Sequence, residues 1–309
     1  RMANISKILA NGFGVKSKLA KQAAILSKAD LVSEMVMEFP ELQGIMGGHY
    51  AKIKNEHDEV TKAIFEHYKP KGVSDDLPET KLGSLLSMVD KIDTLVGFFS
   101  IGKKPTGSKD PFALRRNGFS IAQILINWKL NMSLNEVISP SLKEYICSSQ
   151  TIKLCLIEFM IDKLKFIFSN QDNRIDVIES VLNSKIVNDL PINTISSRID
   201  SIFKFTKKND FKVFLANFKR IKNILKSEKF SNEAQFDVNI NFFETIEEEN
   251  IYNFVNSFSL EIKEKGIYEN SQDVLIKNLI KMNKPISLFF ENVIVNHDNY
   301  NIKHNRLNL

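Results

Sequence analysis

A chain of 309 residues, 43% hydrophobic and 26% charged with only 12 Gly and 8 Pro, reads as globular and largely helical, one large or two ordinary domains. Its net charge of +5 permits a polyanionic partner without demanding one. No apolar run approaches the roughly 20 residues that span a bilayer, and no signal-peptide pattern opens the chain.

In chain order, residues 5–9, 19–26 and 31–37 carry apolar side chains at helical spacing. Phe39-Pro40-Glu41 marks a break, and Gly44, Gly47 and Gly48 surround a short apolar step. A short helix over 60–68 ends at Pro70 and Gly72. Residues 83–99 are the most strongly patterned, with Leu85, Val89, Ile92, Val96 and Phe99 on one face. Asp93 falls on that face and Asp90 on its border, so Asp93 needs a partner: a hydrogen bond from a neighbouring helix, or a ligand or metal.

The stretch from Gly102 to Arg116 is dense in Gly, Pro and cations. Pro105, Gly102 and Gly107 forbid a helix in its first half. Asp110 is expected as an N-cap with Pro111 at the first helical position. Backbone N–H groups there, beside Lys103, Lys104, Lys109, Arg115 and Arg116, suit an anion such as phosphate. A solvated basic loop, with Asp110 and Arg115 paired to each other, is the plainer alternative.

Helices follow over 119–130 and 142–168, the latter with a possible break, then over 176–182 and 199–204. Residues 211–225 form an amphipathic helix with Lys212, Lys219, Arg220 and Asn223 together on its polar flank. Residues 226–250, polar and acidic around Glu247, Glu248 and Glu249, read as an irregular connection. Helical pieces over 251–262, 274–282 and 288–295 close the chain.

Recognisable active-site patterns are absent. There is no GxxxxGK[ST], no GxGxxG after a strand, no GxSxG, and no zinc spacing among the five histidines. Cys147 and Cys155, about 12 Å apart along a helix, are too distant to bridge and fit a reduced, cytoplasmic protein.

Four strings carry a resemblance. Ala24-Ile-Leu-Ser-Lys-Ala-Asp-Leu-Val, Glu38-Phe-Pro-Glu-Leu-Gln-Gly-Ile-Met-Gly, Val89-Asp-Lys-Ile-Asp-Thr-Leu-Val-Gly and the run from Ile101 to Arg116 resemble the β-subunit of bacterial heterotetrameric glycyl-tRNA synthetase. Phe218-Lys-Arg-Ile-Lys-Asn-Ile-Leu, the run from Pro285 to Val295, and Asn305-Arg-Leu are similar to that subunit's C-terminal anticodon-binding module. The resemblance implies the C-terminal part of a longer subunit, in keeping with Arg1 ahead of Met2.

It also implies an all-α fold of two helical domains: a degenerate HD-type domain over 1–145 and a DALR-type anticodon-binding bundle over 146–309. In the first, Ser27-Lys28 stands where HD proteins have their His-Asp pair, Asp90 matches the last metal ligand, and His67 matches a further His. With the pair gone, no metal is expected, and Lys28 is expected to pair with Asp90 or Asp93 in place of the ion. In the second, Lys212, Lys219, Arg220, Asn223, Asn305 and Arg306 are expected to hold tRNA-Gly. Lys103, Lys104, Lys109, Arg115 and Arg116 are assigned either to the tRNA backbone or to packing. The partners implied are tRNA-Gly and the α-subunit of an α2β2 assembly. ATP and Mg belong to the α-subunit, and no catalytic residue is expected in this chain.

Overall fold

The computed structural model describes every residue except 73, 107–108, 146–148, 171–173, 185, 229–237 and 270–271; of 262–269, 272 and 273 it describes the backbone alone. The described residues are all-α, with two isolated β-bridges and no strand. The helices are α1 (Met2–Leu9), α2 (Ser17–Leu26), α3 (Glu34–Glu38), α4 (Ile45–Ile53), α5 (Asp58–Glu66), α6 (Lys81–Ser100), α7 (Leu114–Asn127) and α8 (Leu134–Leu142). They continue as α9 (Gln150–Ser169), α10 (Ile175–Leu182), α11 (Ile192–Thr206), α12 (Asn209–Ser227), α13 (Ile246–Glu269), α14 (Gln272–Asn292) and α15 (Tyr300–Asn308). Among the described residues no helix is long and apolar enough to cross a membrane.

Contacts divide the chain into two compact units, Arg1–Ser196 and Ser197–Leu309. The boundary expected at 145/146 falls inside the first of these, because α9 packs on α6, α7 and α8.

The first unit is built around α6, which packs against α1, α2, α5, α7, α8 and α9. A helix covered on all sides is apolar all round: Leu82, Leu85, Leu86, Met88, Val89, Ile92, Leu95, Val96 and Phe99 are buried. Its start is fixed by Thr80, whose hydroxyl accepts from Gly83 N–H (3.0 Å) and donates to Glu66 Oε2 (2.6 Å). Asp93 finds its partners on neighbouring elements: Arg1 Nε donates to it at 3.0 Å and the Tyr145 hydroxyl at 3.0 Å. Hydrogen bonds from Arg1 and Tyr145 thus meet the carboxylate on this face.

The second unit packs α12 and α13 against α14. Ile251, Phe289 and Val293 form a core flanked by Val255, Phe290, Val295 and Leu309. The helix expected over 142–168 starts later, as α9 from Gln150, and runs unbroken to Ser169, while Leu142 closes α8. The pieces expected over 274–282 and the start of 288–295 are one helix, α14, which runs through Pro285. The connection expected over 226–250 is shorter, since α13 already begins at Ile246. Cys147 lies outside the described residues, while Cys155 is a free thiol on α9.

Candidate functional site

The polar centre of the first unit gathers three of the four residues matched to HD positions. Lys28 follows the end of α2, His67 follows α5, and Asp90 sits midway along α6. The Lys28 ammonium donates to Asp90 Oδ2 at 2.9 Å and stands 3.1 Å from His67 Nε2. Its other face lies over the Tyr68 ring, 3.9 Å from the centroid, a favourable cation–π placement. Of the two carboxylates expected to meet Lys28, it is Asp90 that does. Ser27 is fully buried and only donates to the Ala24 carbonyl at 3.1 Å.

His67 is buried, and its Nδ1 lies 2.7 Å from the Ile64 carbonyl. A carbonyl only accepts, so Nδ1 carries the proton and Nε2 presents its lone pair to Lys28. Burial first, and the Lys28 charge second, push the His67 pKa down from 6.5 to about 4. The ring is therefore neutral at pH 7.

This set does not fit a divalent cation. The Asp90 oxygen and the His67 nitrogen that would ligate it both face an ammonium group, whose charge repels a second cation. Among the described residues no cluster of three or more His, Cys, Asp or Glu side chains is arranged for a metal.

Sequence reasoning missed Asp30, two residues after Lys28. It is buried, and its Oδ2 accepts from Gly44 N–H (2.7 Å) and Gly47 N–H (3.0 Å) at the start of α4. Gly44 has a φ of 77°, and a Cβ on Gly47 would lie 3.1 Å from the Asp30 carboxyl. The glycines noted as a step in the sequence are thus what lets this carboxylate close on the helix.

Beside the Lys28 cluster opens a cleft of about 410 Å³, lined among others by Gln43, Tyr68, Lys71, Asp90, Lys91 and Arg116. Lys91 is only 6% exposed. Its ammonium donates to Ser87 Oγ (2.8 Å) and the Lys69 carbonyl (3.1 Å). Burial lowers its pKa to about 8, against the raising pull of Asp90.

The basic loop is a correction. α7 starts at Leu114, so Pro111 does not occupy its first position, and Ala113 is the N-cap with a φ of 53°. Asp110 still caps, from further upstream: its carboxylate accepts from Leu114 N–H (2.8 Å) and Arg115 N–H (2.9 Å). The N–H groups expected to receive a phosphate are already taken by this carboxylate. Asp110→Ala is expected to destabilise by about 1 kcal/mol, readable as a shift of the urea midpoint; no shift would mean another group caps α7. Lys103 and Lys109 are exposed, Lys104 donates to Cys155 Sγ at 2.9 Å, and Arg116 is exposed and lines the cleft. Gly107 and Ser108 lie outside the described residues.

In the second unit, the six residues expected at RNA separate into two groups. Lys212, Lys219, Arg220 and Asn223 are all exposed on α12. At 100° per residue, Lys212, Lys219, Asn223 and Lys226 fall within about 60° of one another, a single stripe. Arg220 flanks it, with its guanidinium over the Phe290 ring (4.3 Å) and one N–H on the Phe290 carbonyl (3.3 Å). α12 carries five cationic side chains, all exposed, against the single acid Asp210.

Asn305 and Arg306 are buried, which overturns their placement at RNA. Asn305 accepts from Asn239 N–H (2.8 Å) and donates to the Asn239 carbonyl (3.1 Å). Arg306 donates from Nε to Glu248 (2.7 Å), from Nη2 to Glu244 (2.8 Å) and from Nη1 to the Ile294 carbonyl (3.0 Å). Each of its three nitrogens is engaged inside the unit.

What fold and sites define first is a protein all-helical in its described residues, with Lys28 set between Asp90 and His67 in its first unit and a cationic face on α12. The family model described as "Glycyl-tRNA synthetase beta subunit" matches residues 1–183, and the chain belongs to that family. Relatives named glycine–tRNA ligase beta subunit extend the similarity over the second unit. The one from Rickettsia bellii (strain OSU 85-389) is 41% identical over 285 residues, 92% of this chain. That from Buchnera aphidicola subsp. Schizaphis graminum is 38% identical over 93% of it, and that from Thermodesulfovibrio yellowstonii 35% over 95%. The chain spans 40% of the length of the first two and 42% of the third.

Proposed function

We propose that this chain is the RNA-holding part of a glycine–tRNA ligase β-subunit. It positions tRNA-Gly for ATP-dependent glycylation at the active site of a separate α-subunit, within an α2β2 assembly in the cytoplasm. In this reading ATP and Mg are bound by the α-subunit, and the chain contributes no catalytic group. The second unit acts as the DALR-type anticodon module and the first as an HD-derived scaffold.

The observation that carries the reading is the exposed stripe of Lys212, Lys219, Asn223 and Lys226 on α12. Lysines in a row track a phosphate backbone, and an amide between them can hydrogen-bond a base edge. A divergent HD phosphohydrolase is the competing reading. The Lys28 ammonium on both Asp90 and His67 weighs against it, because hydrolysis in that fold needs a bound metal.

The test is binding to tRNA-Gly, and to the same tRNA with a changed anticodon, at two salt concentrations. The wild-type chain is expected to prefer tRNA-Gly at both. Lys212→Ala/Lys219→Ala is expected to weaken both RNAs alike and to lower the salt slope by about 2. Asn223→Ala is expected to erase the preference at a cost of about 1–3 kcal/mol. Equal, undiminished binding by all variants would sink the assignment to α12, and no binding by the wild-type chain would leave a scaffold without RNA affinity.

A further inference from the structure

The cleft beside the Lys28 cluster has an electrostatic composition that nothing described so far uses. Three cations line it, Lys71, Lys91 and Arg116, against Glu41 and Asp90. Asp90 is already neutralised by Lys28 at 2.9 Å. Neither Lys71 nor Arg116 has an ion-pair partner among the described residues, and Lys91 is buried without a carboxylate on its ammonium. Its contacts are neutral oxygens: Ser87 Oγ, the Lys69 carbonyl, and the His67 carbonyl at 3.5 Å.

Asp90 and Asp75 favour the charged form of Lys91, but the ammonium itself hydrogen-bonds neutral oxygens alone, so the cleft wall keeps a cation able to meet an anion. The third Lys91 N–H spends itself on the longest of these contacts and can turn to a ligand at little loss. Arg116 offers a planar fork matched to tetrahedral oxyanions, and Asn117 and Gln43 line the same space with amide donors. The volume of about 410 Å³ suits a small ligand. The Tyr68 ring at the cleft wall is held by His67, with ring centroids 4.0 Å apart, and by Lys28, whose ammonium lies 3.9 Å from its centroid.

We propose that this cleft binds a phosphate group directly, without metal, through Lys91 at its wall and Arg116 and Lys71 at its rim. The Lys28–Asp90 pair then serves to cancel the carboxylate that would otherwise repel the anion. The phosphate could belong to a small nucleotide or to an RNA backbone; the chemistry that recognises it is the same. The proposal does not rest on the RNA reading of α12, which lies in the other compact unit.

Equilibrium dialysis of the full chain against radiolabelled inorganic phosphate reads it directly. Saturable binding of one phosphate per chain is expected, weakened at least tenfold in Arg116→Ala and in Lys71→Ala and unchanged in Lys18→Ala. Arg116, Lys71 and Lys18 are exposed, so none of these changes threatens the fold, and Lys91→Met is added with circular dichroism to verify folding. Two competitors identify the source. Displacement by ADP but not by tRNA marks a nucleotide site, and displacement by tRNA that survives Lys212→Ala/Lys219→Ala marks a backbone site; either supports the proposal. Non-saturable uptake, or uptake indifferent to Arg116→Ala and Lys71→Ala, overturns it.

Discussion

Replacing Arg306 by Ala is expected to destabilise the second unit by about 3–5 kcal/mol, the cost of stripping a buried charge of its partner. The partner is Glu248, fully buried, with its carboxylate 2.7 Å from Arg306 Nε. Burial by itself would raise the Glu248 pKa. The Arg306 guanidinium and the N–H groups of Glu244 (2.8 Å) and Thr245 (2.9 Å) outweigh burial and hold it below the usual carboxylate range. Removing Arg306 also orphans the Ile294 carbonyl that ties the end of α14 to α15. Hydrogen exchange should show α13 and α15 losing protection together. Arg306→Met/Glu248→Gln is expected to recover part of the loss, because Gln still accepts from Thr245 N–H while no bare charge remains buried. A loss under about 1 kcal/mol in Arg306→Ala would mean that the pair contributes little beyond packing.

This ion pair marks where the sequence was legible and where it was not. One buried face of α6 could be read from the helical spacing of Leu85, Val89, Ile92, Val96 and Phe99, and the stripe on α12 from cations at helical spacing; that α6 is covered on its other sides could not. Arg306 was read as an RNA ligand because an arginine near a chain end is indistinguishable, in one dimension, from an exposed one. Its partners are 58 and 62 residues away in sequence. A signal did exist in Thr245-Ile-Glu-Glu248, the spacing of a capping box. It places a helix start where the run of three glutamates suggested a loop, and Glu248 does reach back to Thr245 N–H. The Asp110 cap was right in kind and displaced in position, since the N-cap is Ala113, three positions further on. Asp30 carried no pattern at all: only the fold brings it beneath Gly44 and Gly47.

The Lys28 cluster has a consequence for stability in acid. His67 has a folded pKa of about 4 against 6.5 unperturbed. Between these values the unfolded chain binds the proton and the folded chain does not, so the unfolding free energy falls as pH drops through that window. A separation of about 2.5 units corresponds to roughly 3 kcal/mol, fully lost by pH 4 and fully present above pH 6.5. The groups facing the ring are Lys28 and Lys91, which oppose its protonation, and Asp90, which favours it. Asp90 does not win, because burial is the largest cause and Asp90 is shared with Lys28. Carboxylates elsewhere add their own acid sensitivity, so the comparison that isolates the imidazole is wild type against His67→Gln. The Gln amide oxygen can still accept from Lys28 but does not titrate. Urea unfolding from pH 4 to pH 7 should give a shallower pH dependence for His67→Gln, by roughly 3 kcal/mol across the window. Parallel curves would mean that His67 protonates as readily in the fold as outside it, and that Lys28 does not sit on its lone pair.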